Sequence, residues 1–148
     1  MLPPSEPLSR LMRHALKRHR DLVDRLIAPY DVYPGQPPLL MQLSREDGQS
    51  QRELAGKMRV APATLNVMIG RMEKAGHLRR ESDDRDQRVS RVFLTDKGRA
   101  AAQAVQEALQ TVETRAFRGF LPEELLLLRR FVLHMQANLD DENSLANE

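Results

Sequence analysis

The 148-residue sequence predicts a mainly α-helical chain that is broken once by a small β-hairpin. Three observations carry that expectation. Apolar residues recur every three or four positions through most of the chain, which is the period of an amphipathic helix. The period changes only between Leu78 and Leu94, where two short strand-like runs flank a charged loop. Aromatic residues make up only 4%, with no Trp. That is too few for a β-sandwich, or for the ring platforms on which single-stranded nucleic acid stacks.

Leu8, Leu11, Met12, Ala15, Leu16, Leu22, Val23, Leu26 and Ile27 form one stripe and predict a helix over about 8–28. Pro29 and then Pro34-Gly35 stop it. Pro37 and Pro38 suit the first turn of a second helix, with Leu39, Leu40 and Leu43 as its apolar side and Asp47-Gly48 as the turn after it. Ser50-Gln51-Arg52-Glu53 matches a capping box, so a short helix over about 51–58 follows, burying Leu54, Ala55 and Met58. After the link Arg59-Val60-Ala61, Pro62 starts a helix that runs to about Ala75 and ends at Gly76, a natural left-handed cap.

Leu78–Glu81 and Val89–Leu94 then read as strands around the charged tip Ser82–Arg88. Thr95 caps a helix to about 118, buried at Ala101, Ala104, Val105, Ala108, Leu109, Val112 and Ala116. Pro122 opens the last helix, with Leu125, Leu128, Phe131, Val132, Met135 and Leu139 on one side. Residues 140–148 read as a polar, frayed tail.

Composition excludes several functions. With no cysteine there is no disulfide, Cys-ligated metal, thiol nucleophile or thiol redox switch. No Gly-rich phosphate loop, HExxH or G-x-S-x-G occurs, and nothing points to an enzyme or a cofactor. His14 and His19, five apart, are turned about 140° from each other on a helix and share no metal face. His77 follows the cap glycine and reads as local structure. Asp83, Asp84 and Asp86 resemble a metal cluster on paper, but interleaved arginines neutralise them, so a salt-linked loop is expected and no metal. No apolar run approaches the roughly 18 residues of a membrane span. MLPPSEPLSR lacks the apolar core of a secretory signal, so the expected compartment is the cytoplasm.

Net charge is only +2. Its distribution says more, since positive charge is in excess before Arg99 and the last fifty residues are acidic. Arg71, Lys74, Arg79, Arg80, Arg85, Arg88 and Arg91 crowd into one short stretch. In a generic protein such a run is a solvated face. Here it lies on two short helices with a three-residue link and on the hairpin that follows at once, which makes a winged helix-turn-helix. On the 62–75 helix the core side is Leu65, Ile69, Met72 and, at its edge, Met68. Ala63, Asn66, Val67, Gly70 and Lys74 lie opposite, flanked by Thr64 and Arg71. Ala63 and Gly70 are small enough for close approach to a groove. Asn66 suits paired hydrogen bonds to an adenine edge, and Val67 suits a thymine methyl.

The segments SQRELAGKM, APATLNVMIGRMEKAGHLRR, DDRDQR and VFLTDKG resemble the winged helix-turn-helix of the MarR (multiple antibiotic resistance regulator) family over Pro34–Gly98. The long helices on either side resemble that family's dimerisation region. The D-x-R wing followed by LT-x-x-G is the most specific part. The resemblance implies a homodimeric transcription regulator, by default a repressor, on double-stranded DNA. It divides the chain into a dimerisation helix (1–33), a DNA-binding lobe (34–98) and C-terminal dimerisation helices with the tail (99–148).

The resemblance places Pro62, Thr64, Asn66 and Val67 at groove-contacting positions and Arg71 and Lys74 near phosphates. It places Arg88 at the wing position that enters the minor groove, oriented by Asp86, with Arg85 as second candidate. Asn66-Val67 departs from the Thr-Arg or Ser-Arg of many members and predicts a different operator preference. The resemblance also implies a small aromatic or phenolic effector between the dimerisation helices and the lobe, where Tyr30 and Tyr33 fall with His14, Arg18 and Met41 as neighbours. A nonspecific nucleoid-type DNA binder and a winged-helix protein-interaction module are the alternatives. The small net charge argues against the former.

Overall fold

The computed structural model describes residues 6–140, so the tail expectation beyond Asp140 and the first five residues fall outside it. The element order is α1 (Leu8–Ile27), a 3-10 turn (Ala28–Tyr30), α2 (Pro37–Arg45), β1 (Gln49–Ser50), α3 (Gln51–Met58), α4 (Pro62–Lys74), β2 (Leu78–Ser82), β3 (Ser90–Leu94), α5 (Asp96–Ala116) and α6 (Pro122–Asp140). Two compact units are distinguished, Met1–Val112 and Glu113–Glu148.

In the first unit, Val23 and Ile27 of α1, Leu39, Leu40 and Leu43 of α2, Leu54 of α3 and Leu65, Ile69 and Met72 of α4 meet in one core. Leu78, Val92 and Leu94 of the sheet and Ala101, Ala102, Val105, Ala108 and Val112 of α5 close it. The small residues of α5 let that helix lie close to its neighbours.

Local signals end the helices where expected. Ser50 Oγ accepts from the Glu53 amide at 3.1 Å and the Glu53 carboxylate accepts from the Ser50 amide at 3.0 Å, a complete capping box. That pairing holds the Glu53 carboxyl below its ordinary range, the Ser50 N–H being the main cause. Ser50→Ala is expected to cost about 0.5–2 kcal/mol, read as a lower urea midpoint at unchanged slope. At the end of α4, Gly76 takes φ +84°. Its amide donates to Glu73 O and the His77 amide to Met72 O, each at 2.9 Å, which is a Schellman motif.

The hairpin gains a third strand that periodicity does not reveal. Gln49 and Ser50 pair antiparallel with Val92 and Arg91, giving the order β1-β3-β2. Buried Gln49 donates to the carbonyls of Gln42 and Glu46 and accepts from Lys57 Nζ, so it satisfies the open end of α2.

Three expectations of burial are corrected. Ala15, Leu16 and Leu26 of the α1 stripe are exposed, and only Val23 and Ile27 are buried. Ala116 is exposed, and α5 ends there rather than near 118. On α6, Leu125, Leu128, Phe131, Val132 and Leu139 are all exposed, and only Met135 is half-buried. The physical reason is the same each time. An amphipathic stripe specifies that a face seeks cover, not that one chain supplies the cover.

Candidate nucleic-acid interface

The exposed side of α4 is built by its burial. Because Leu65, Ile69 and Met72 are fully inside, Ala63, Thr64, Asn66, Val67, Arg71 and Lys74 are left exposed. Pro62, also exposed, occupies the first helical position, where its missing N–H costs nothing. Val67 is 54% exposed, an isolated apolar side chain on an otherwise polar and small-residue surface. Gly70 is half-buried, because the Arg80 fork reaches over it.

Asn66 does not stand alone as expected. Arg80, on β2, donates through Nη1 to Asn66 Oδ1 at 2.7 Å and to Gln51 Oε1 at 3.3 Å. Its Nε donates to Glu73 Oε1 at 2.6 Å. Gln51 Nε2 also donates to Asn66 Oδ1, at 3.4 Å. The acceptor needed for the paired adenine contact is thus engaged within the protein. Arg80 lies fourteen positions from Asn66, so no local pattern pointed to it.

The wing is organised by Asp83, an aspartate other than the expected Asp86. Asp83 Oδ2 accepts from the amides of Arg85 and Asp86, each at 3.1 Å, and Oδ1 accepts from Arg91 Nε at 2.6 Å. Arg91 Nη1 then donates to Gly48 O at 3.0 Å, tying the wing to the turn before β1. The Asp83 carboxyl is held below its ordinary range, first by the Arg91 hydrogen bond and then by the two amides; Arg91 is pushed up by the same contact.

A depressed carboxyl stabilises above its unfolded pKa, near 3.9, and loses that contribution only as pH falls through the lower folded value. The tie is therefore expected to persist to about pH 4 and to open in stronger acid. The Arg91 Nε–H resonance followed by NMR checks this. Loss of its bonded shift between about pH 7 and 5 contradicts the assignment.

Asp86 meets Arg88 as expected, through Oδ1 to the Arg88 amide at 3.0 Å and to Arg88 Nε at 3.2 Å. The Arg88 side chain is 93% exposed, so Asp86 sets its direction without covering it. Arg85 is exposed beside it. On the far side of the hairpin, the Arg79 guanidinium lies 4.6 Å from the Phe93 ring centre and pairs with Glu81.

The expected effector residues are not gathered. An open cleft of about 680 Å³ lies along α1, and of the five candidates only His14 lines it. Arg13, Lys17, His19 and Arg20 line it too, with the proline-rich loop before α2 and Leu109 opposite. Arg18, Tyr30 and Tyr33 are exposed, and Met41 packs against the core. Asp31, at φ 58°, turns the chain so that Val32 enters the core and both tyrosines stay outside.

His77, read as local structure, is fully buried and shares a hydrogen bond of 3.0 Å with the Asp31 carbonyl. Lys97 binds the Asp31 carboxylate at 3.0 Å and lowers its pKa. Among the described residues no helix is long and apolar enough to cross a membrane.

Known proteins are similar to this chain. The MarR family model matches residues 33–90. The HTH-type transcriptional regulator TtmR of Methylorubrum extorquens is 36% identical over 74 residues, which cover 50% of this chain and 38% of that relative. This chain thus spans well under half of that relative's length. A crystal structure of a putative MarR-like transcription regulator from Bacillus cereus is 25% identical with a TM-score of 0.78, covering 90% of this chain and 96% of that one. A mutant MarR from E. coli complexed with operator DNA has the same fold, at a TM-score of 0.77 and 21% identity over 87% of this chain and 93% of that one.

Proposed function

We propose that the chain, which the MarR family model matches over residues 33–90, is a DNA-binding transcriptional regulator of that family and acts as a homodimeric repressor of a pseudo-palindromic operator, released by a small-molecule effector. The observation that carries the reading is the exposed, small and polar face of α4 beside a wing whose Arg88 is held outward by Asp86. In this proposal residues 34–98 are the DNA-binding lobe. Pro62, Ala63, Thr64, Asn66, Val67 and Gly70 approach the major groove, with Arg71 and Lys74 at phosphates. Arg88, and beside it Arg85, enter the minor groove.

Residues 1–33 and 99–148 supply the dimer contacts. The uncovered apolar residues of α6 support this, since a lone soluble chain rarely leaves so continuous a patch bare. Two copies related by a two-fold axis set the α4 helices about 34–36 Å apart, one turn of DNA. An effector that favours a different separation lowers operator affinity as a shift of populations. The α1 cleft, lined by Arg13, Lys17 and Arg20 and also by Asp21 and Asp24, is a place where such an effector would bind. Such a protein works where the genome is, in the cytoplasm.

Selection of genomic fragments on the purified protein at near-physiological salt tests the reading. Enrichment of a short inverted repeat supports it. DNA retained without a consensus favours a nonspecific binder, and no retention with or without refolding favours a protein-interaction module. On the recovered site, Arg88→Ala is expected to weaken binding across all sequences and to reduce the salt slope by about one unit. Unchanged affinity and slope remove Arg88 from the DNA interface.

A further inference from the structure

Resting on the operator reading above, the geometry points to Arg80 as the positioning residue that makes Asn66 a donor and so selects guanine over adenine at its base pair. A carboxamide can offer either its oxygen or its NH2 to a base, and the choice is usually open. Here it is closed by chemistry. A guanidinium carries only donors, so the Asn66 atom 2.7 Å from Arg80 Nη1 is the oxygen. The same argument turns the Gln51 oxygen toward Arg80, at 3.3 Å, and its NH2 toward Asn66 Oδ1, at 3.4 Å. Both lone pairs of Asn66 Oδ1 are then in use. Glu73 holds Arg80 in place through Nε at 2.6 Å, so the fork is fixed at two points.

What remains on the exposed face is the Asn66 Nδ2 amide group. Beside it is Arg80 Nη2, which lies 3.6 Å from where a Gly70 side chain would begin. A Cβ at position 70 would meet that nitrogen at ordinary van der Waals contact. Among the described residues neither Asn66 Nδ2 nor Arg80 Nη2 has a protein acceptor. The paired contact of asparagine with adenine needs Oδ1 to accept from N6 while Nδ2 donates to N7. With Oδ1 engaged, this face offers donors only. Guanine, with O6 and N7, presents two acceptors at one major-groove edge and is the base it fits.

Selection from a randomised DNA pool tests the assignment, using the full chain as wild type, Arg80→Met, Asn66→Ala and Asn66→Asp. Wild type is expected to recover an inverted repeat in which Asn66→Ala erases the preference at one position per half-site. That position is guanine in wild type, favoured roughly tenfold. Arg80→Met frees Oδ1 and moves that position toward adenine, leaving the others unchanged. Adenine at that position in wild type, or guanine retained by Arg80→Met, overturns the proposal.

Asn66→Asp decides the matter if Arg80→Met folds poorly, because it is an exposed change that keeps the bond to Arg80 but has no donor. It is expected to abolish the guanine preference, and retention of guanine overturns the assignment. Failure of wild type to enrich any inverted repeat overturns the operator reading itself, and this assignment with it.

Discussion

Gly98→Ala is expected to lower the stability of the winged-helix unit by about 3 kcal/mol, seen as a fall in Tm of roughly 10 °C. A Cβ there would stand 1.9 Å from the His77 carbonyl oxygen and 2.9 Å from its carbon, which are backbone atoms that cannot swing aside. The close approach has a purpose in the local bonding. Thr95 donates its amide and its hydroxyl to that same carbonyl, and its Oγ1 accepts from the Gly98 amide at 3.0 Å. The first turn of α5 is thus laid directly on the turn between α4 and β2. Gly56→Ala is the control, because nothing lies within 4 Å of a Cβ on that exposed turn of α3. It is expected to be neutral or slightly stabilising. Equal melting of the two variants would show that α5 does not depend on this contact.

The second large effect concerns α6. Its exposed leucines include Leu125 and Leu128, with Val132 and Leu139 continuing the same stripe at helical spacing. If this stripe meets a second copy, Leu128→Asp enters the interface twice by symmetry. Leu128 is only 37% exposed in the single chain, so losing its remaining burial costs about 1 kcal/mol per copy, and desolvating two carboxylates adds most of a total of about 6 kcal/mol per dimer. That is a weakening of roughly ten-thousandfold. The variant is expected to sediment as a monomer at micromolar concentration and to bind its operator at least a hundredfold more weakly. A variant that remains dimeric with full operator affinity places the interface elsewhere.

The parts that were readable share a short range. The α3 cap needs only Ser50 and Glu53, three positions apart, and the α4 stop needs only Gly76 and its two neighbours. The exposed face of α4 followed from its apolar spacing, because a helix that buries Leu65, Ile69 and Met72 has one possible opposite side. Asp86 and Arg88 are two positions apart and meet in the wing as expected.

The parts that were missed are long-range. β1 is two residues long, too short for any period, and exists because β3 lies beside it. Asp83 looked like one more carboxylate in a charged loop. Its role appears only when Arg91, eight positions on and across the hairpin, reaches it. Where the residues expected around an effector lie is also set at long range, since the turn at Asp31 leaves both tyrosines exposed.

By itself, then, the sequence determined the helices, their ends, the hairpin and which face of α4 is left exposed. These depend on periodicity and on hydrogen bonds that close within a few residues. Tertiary structure alone decided what Asn66 can offer. The sequence shows an amide able to accept and donate, and the fold brings Arg80 across from β2 to take the acceptor. It also decided that Gly98 must remain glycine, because the carbonyl it faces belongs to His77, twenty-one residues earlier and on another element's turn. A local pattern specifies a surface, and only the packing of distant segments specifies which atoms on that surface remain unpaired.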